Sequence, residues 1–273
     1  MKTKILVLSL MATFFFISCN KDETTPAVLI NSDDVVENAK IDNISDDVLQ
    51  IVESQSNEEI GGRGIATAEN FLTNCATVST VQLENTWTRT VDFGSENCTL
   101  LNGNTVRGKI IIVFTNNFSA STRTISYSFD NFYHNDRHVE GNRTVVRTIL
   151  ANGHPQATID MNLTITNPAG GVYTRVGTRV REFTEGYSTP FIIADNVFSI
   201  TGTWTTTLPN GMMHIATITS PVIRKMDCLF RVQGTISFTR NNNLAILDFG
   251  NGDCDNLATI TVNGIVRNII LGN

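Results

Sequence analysis

Tyr173, Arg175, Arg179 and Arg181 recur at odd positions, so all four fall on one face of an extended strand. Planar guanidinium donors at that spacing can grip an anionic glycan or a phosphate, and on a wet strand face they also serve as ordinary cross-strand partners. Trp87 and Trp204 could stack on a sugar if exposed, and otherwise fill a core. His134 and His138 have the i, i+4 spacing of helical metal ligands but lie in what reads as a connection between strands, where a solvated loop is the better account. Asp248, Asn251, Asp253 and Asp255 place oxygens at near-alternate positions, loosely like a calcium loop, without the EF-hand spacing or its distal Glu. Glu182 and Glu185 flank Phe183-Thr184, yet a glycosidase needs carboxylates facing each other across a cleft, and neighbours on a strand end do not give that. From Gly103 to Lys109 the spacing is that of a P-loop, but Ile110 stands where the magnesium-binding hydroxyl belongs. Neither G-x-S-x-G nor H-E-x-x-H occurs. The sequence therefore nominates no catalytic residue, metal or cofactor. Trp87, Trp204, Arg175, Arg179 and Arg181 are the candidate ligand-binding set.

The elements that must carry these residues read as strands. From about Ala76 the chain alternates with a period of two: Ile159, Met161, Leu163 and Ile165 interleave with Asp160, Asn162 and Thr164. Ile125, Tyr127 and Phe129 repeat the pattern, as do Phe198, Ile200 and Trp204 around Gly202, and Phe230, Val232, Ile236 and Phe238 around Gly234. Turn chemistry separates the runs at Asn102-Gly103, Asn152-Gly153, Pro209-Asn210-Gly211 and Asn263-Gly264, which predicts antiparallel hairpins. The expected fold is all-β, an antiparallel meander of about a dozen strands over residues 65–273. Twist and unpaired edges should close it as a sandwich, roll or barrel. The row Ser199, Thr201, Thr203, Thr205 and Thr207 opposite Trp204 reads as a solvated face, which argues against a membrane barrel.

Charge is unevenly distributed. The 273-residue chain has a net charge of −6, but residues 20–64 alone hold eleven Asp and Glu against three Lys and Arg, leaving residues 65–273 balanced. The stretch 19–64 is expected to be an acidic, solvated tether, and its sign argues against nucleic acid as a partner. Within it, Ser45 to Glu53 has an N-cap, acids in the first turn and apolar residues at helical spacing, which predicts one short helix whose apolar stripe docks on the domain, with recruitment of a partner as the alternative. Gly61-Gly62-Arg63-Gly64 reads as a hinge.

Lys2 and Lys4 precede a short apolar run, Ile5 to Ile17, too short for the roughly 20 residues of a membrane span, so residues 1–18 read as a cleaved signal. Phe16-Ile17-Ser18-Cys19 resembles a bacterial lipobox, in which the Cys19 thiol is acylated and becomes the mature N-terminus. Asn20-Lys21-Asp22-Glu23 resembles the charged export signal of Bacteroidota surface lipoproteins. The implied address is the outer membrane, lipid-anchored and facing outward, with the periplasmic face as the alternative. Cys75, Cys98, Cys228 and Cys254 form an even set, as in an exported protein. Proximity favours Cys75 with Cys98 and Cys228 with Cys254. So does an echo, since Asp92-Phe93-Gly94 and Asp248-Phe249-Gly250 each precede a cysteine by the same interval.

Together the signal, the two D-F-G-x-x-x-C regions and the closing Asn263-Gly264 hairpin resemble a group of uncharacterised Bacteroidota surface lipoproteins. That resemblance implies address and architecture, with no activity to carry over. The resulting expectation is a non-catalytic surface module that binds a glycan, peptide or protein partner, with a hydrolase on a β scaffold or a purely structural envelope protein as alternatives.

Overall fold

A computed structural model describes residues 30–56, 72, 74–115, 117, 120–190 and 192–271. Residues 1–29, with Cys19 and the signal, and the Gly61–Gly64 hinge lie outside the described residues, as does the expected boundary at 64/65. Among the described residues one α-helix, α1 (Ser32–Ser56), precedes fourteen strands: β1 (Thr77–Leu83), β2 (Thr86–Asp92), β3 (Cys98–Thr99), β4 (Thr105–Thr115), β5 (Thr122–His134), β6 (Arg137–Ile149), β7 (Pro155–Thr166), β8 (Val172–Glu185), β9 (Val197–Thr207), β10 (Met213–Lys225), β11 (Gln233–Arg240), β12 (Asn243–Asn251), β13 (Leu257–Val262) and β14 (Ile265–Ile270). They form one antiparallel sheet in sequence order, with the short β3 set aside against β4. The all-β meander is therefore present. It is a single sheet that does not close into a barrel, and what it curls around is a helix.

Turn chemistry repeats along the meander. At Leu100–Asn104, Leu150–His154, Asn167–Gly171 and Leu208–Met212, the first residue donates its N–H to the last carbonyl at 2.8–2.9 Å, and a glycine at φ +80° to +88° in fourth place donates back to the first carbonyl. This is the three-residue loop with a left-handed glycine that antiparallel hairpins favour. Two-residue turns with positive φ at both positions close two further hairpins, at Asn135-Asp136 and Asn263-Gly264. The D-F-G echo is structural too: Asp92 and Asp248 each accept the N–H of the glycine two residues on, at 2.9 Å, and Phe93 and Phe249 are both buried.

Curvature comes from bulges at glycines. Gly108 sits at φ +83° where the register of β4 against β5 shifts, and a Cβ there would run into the Asn131 carbonyl. Both the conformation and the space exclude a side chain. Gly108→Ala is expected to lower stability by more than about 1–3 kcal/mol, measured by urea unfolding, whereas Gly153→Ala, strained in φ but in open space, should cost less.

The helix runs 25 residues, about 37 Å at 1.5 Å per residue, far longer than the short segment expected from Ser45 to Glu53. It docks on the domain, as the apolar residues between Ser45 and Glu53 imply, but the docked segment begins well before Ser45, in the stretch expected to be a solvated spacer. Val35, Ile41, Ile44, Val48, Leu49, Ile51 and Val52 are buried, and so are Asn38, Asp42, Ser45 and Asp47. Buried positions cover most of its circumference, so the buried surface extends well beyond the apolar residues at helical spacing between Ser45 and Glu53. The inward faces of β4, β5, β7, β9, β11 and β12 supply Ile110, Tyr127, Ile159, Leu163, Trp204, Phe238 and Leu247 to the same core.

Candidate functional site

The seam between α1 and the sheet's inner face holds nearly all the chemistry of the described residues. Asp42 lies at its centre, 1% exposed, bonded to the guanidinium groups of Arg175 and Arg179 from β8, with Arg231 from the β10–β11 connection 3.5 Å from its second oxygen. Burial raises its carboxyl pKa, but Arg179, Arg175 and Arg231 outweigh that and hold it at about 2. Arg231 also reaches Asp46 at 2.6 Å. Toward the C-terminal end, Arg181 pairs with Glu53 and Arg89 donates to the Gln55 carbonyl, which satisfies a helix-end acceptor. Toward the N-terminal end, Arg137 grips Glu37 at 3.1 Å and Arg240 grips Asp34 at 3.1 Å.

Polar side chains complete the seam. Asn38 donates to the Asp34 carbonyl at 2.7 Å and presents its amide N–H to His214 Nε2 at 2.8 Å, while its oxygen accepts from Arg175 at 2.7 Å and from the Thr206 hydroxyl at 2.9 Å. Asp47 takes hydrogen bonds from Asn102 at 2.8 Å and Asn104 at 2.7 Å, with His134 Nε2 at 2.8 Å. Burial opposes ionisation of Asp47, yet the His134 contact and the two amides hold its pKa below the usual carboxylate value. Arg143 is buried on Ser45 and the Tyr127 hydroxyl.

This arrangement corrects the sequence reading of the binding set. Arg175, Arg179 and Arg181 do share one face of β8, but it is the inner face, and the anions they grip are carboxylates of the chain's own helix. Trp204 is 2% exposed, with Arg179 4.1 Å above its ring, so it offers no stacking platform. Trp87 is half-buried, tilted against Phe114 at 6.0 Å. His134 and His138 cannot share a metal: Tyr133 faces His138 in the β5–β6 register, which puts His134 on the opposite side of the sheet. His134 is buried on Asp47 rather than solvated, and His138 stacks on Tyr133 at 4.7 Å. Glu182 bonds His154 at 2.6 Å and Asn152 at 3.2 Å in an exposed hairpin. Asp248 and Asp255 spend one oxygen each on local turn N–H groups.

Cys75 faces Cys98, and Cys228 faces Cys254, with Cα separations of 5.8 and 5.3 Å that suit disulfides. Each staples a chain segment beside a D-F-G turn.

Sequence reasoning missed Asp42, Asp46, Asp47, Asn38, Arg231, Arg240 and His214. A signal was present: residues 65–273 contain thirteen Arg against two Lys. Such a bias suits buried, bidentate ion pairing, for which Lys is a poor substitute.

The fold and seam define a class: an open antiparallel sheet curled around an acidic N-terminal helix through an arginine-lined inner face. No family model, characterised protein or solved structure matches the chain. Its function is therefore argued from its own geometry.

Proposed function

We propose that this protein is a non-catalytic lipoprotein of the cell envelope, anchored through Cys19, that binds a protein or peptide partner in extended conformation at the open edges of its sheet. One observation carries the reading. Among the described residues the meander path from β1 to β14 holds thirteen strands, an odd number, so its first and last strands run in the same direction. Closing the sheet on itself would need a parallel pair, and antiparallel pairing at either edge needs a strand from outside. Both edges are apolar and exposed, with Val81 and Leu83 on β1 and Val266 and Ile270 on β14. Such edges either aggregate or receive a strand. A protein partner is favoured over an anionic glycan because the arginines that would hold the glycan are occupied by α1.

Two measurements test this. Cys19→Ala should move the chain from the membrane to the soluble fraction, and intact mass of the wild type should show a chain starting at acylated Cys19. A photo-crosslinking residue at Val81 or Val266 in cells should give protein adducts, and one at the outward Thr203 should not. An absence of adducts at both edges, together with selective glycan capture, would replace this reading with a glycan-binding one.

A further inference from the structure

We infer that β1 pairs with β1 of a second copy of this chain, in antiparallel register about a two-fold axis at Thr80. The inference rests on the edges being docking strands and goes further by naming the occupant of one of them.

Every residue of β1 is exposed, and Val81 and Leu83 retain 67% and 74% of their full accessibility. The strand Thr-Val-Ser-Thr-Val-Gln-Leu has no charge, proline or glycine along its length. Those are the devices by which edge strands are normally blunted against copies of themselves. The opposite edge differs, because β14 carries Arg267 in its middle. Self-pairing therefore meets less opposition at β1.

A two-fold interface must be self-complementary. Centring it on Thr80 pairs all seven residues: Thr80 faces its own copy, Ser79 faces Val81, Val78 faces Gln82 and Thr77 faces Leu83. No like charges oppose one another. Val81 and its copy become diagonal neighbours on one face, close enough for side-chain contact. Thr80 is compatible with this register, since its hydroxyl is already held by Arg89 Nε at 3.1 Å within its own sheet. The result is a continuous sheet across two chains.

The test uses the full-length chain extracted in detergent. Light scattering coupled to size exclusion should give twice the chain mass, falling to the single mass in Val81→Lys and in Ser79→Pro, with the circular dichroism of Val81→Lys unchanged and its melting temperature no longer dependent on protein concentration. Under mild oxidation Thr80→Cys should crosslink to a double-mass band, and Thr77→Cys, which faces Leu83 of the copy, should not. A monomer across the micromolar range, a dimer indifferent to Val81→Lys, equal crosslinking of the two cysteine variants, or assemblies larger than a dimer would each overturn the inference. If the chain is monomeric yet a photo-crosslinker at Val81 or Val266 still captures other proteins, self-pairing fails and edge docking stands; if neither position captures any, both fail.

Discussion

Asp42→Asn is expected to destabilise the protein by about 3–5 kcal/mol, the range for removing one partner of a buried ion cluster. The carboxylate is shared by Arg175 and Arg179 and approached by Arg231, all buried, so neutralising it leaves several cations facing one another in a water-excluded seam. The amide of Asn can accept from only one of them and presents N–H groups to the rest. Urea unfolding at neutral pH measures the loss. Asp34→Asn is the contrast: that carboxylate is partly solvated and meets Arg240 alone, so its removal should cost less than that of Asp42, which three buried guanidinium groups share or approach. The cluster does not make the fold more stable than an apolar seam would, because desolvating the charges offsets most of their attraction. Replacing Asp42, Arg175 and Arg179 together by Leu, Met and Met should therefore recover much of the stability lost in Asp42→Asn. What the charges confer is register: a helix shifted by one residue would leave every carboxylate without its guanidinium. The pH dependence has a definite sign. The Asp42 pKa is depressed in the folded state to about 2 from 3.8, so its contribution is present above about pH 4 and is lost as the pH falls toward 2.

The sheet was legible because its information is local. Alternation with a period of two runs through the strands, Asn-Gly pairs mark several of the turns between them, and each hairpin needs only its own segment to form. Neither the openness of the sheet nor the helix is local in that sense. The relative direction of the two edge strands follows from the parity of the strand count, which a single misread strand inverts. The helix was partly legible at Ser45 to Glu53, where acids and apolar residues fall at helical spacing, but its first four turns mix Asp, Asn and Lys with Val and Ile, as a surface segment would. Only the sheet's inner face shows why Asn38 and Asp42 are core residues. The same applies to β8: alternation fixes that Arg175, Arg179 and Arg181 share a face, but which face is inward depends on a neutralising partner more than a hundred residues away. An arginine on a strand reads as solvent-facing by default, and that default failed because its counter-charge lay in the segment taken for a spacer.

His214 should make the protein acid-sensitive well above the range set by its carboxylates. Its Nε2 faces the amide N–H of Asn38, whose orientation is fixed because the same nitrogen also donates to the Asp34 carbonyl and its oxygen accepts from Arg175 and Thr206. Nε2 must therefore accept, which requires the neutral ring. Arg240 lies 3.3 Å from Nδ1, so cations and donors approach the imidazole from β11, β8 and α1, with the Asp34 carboxylate directed to Arg240 rather than to the ring. Burial, then Arg240 and Arg175, push its pKa down to about 4 from 6.5. A proton taken up here favours the unfolded chain. Stability is thus fully present above about pH 6.5 and falls as the pH drops toward 4, by about 3 kcal/mol in total at roughly 1.4 kcal/mol per unit. His214→Gln keeps a carbonyl to accept from Asn38 and cannot titrate, so its unfolding free energy should stay nearly level across that window while the wild type declines. Amide exchange should locate the loss first in the N-terminal half of α1, around Asn38, because that is where the protonated ring would have to part from its donor. An equal decline in the variant would show that the acid response arises elsewhere in the seam, with Asp47 and its His134 partner the next groups to substitute.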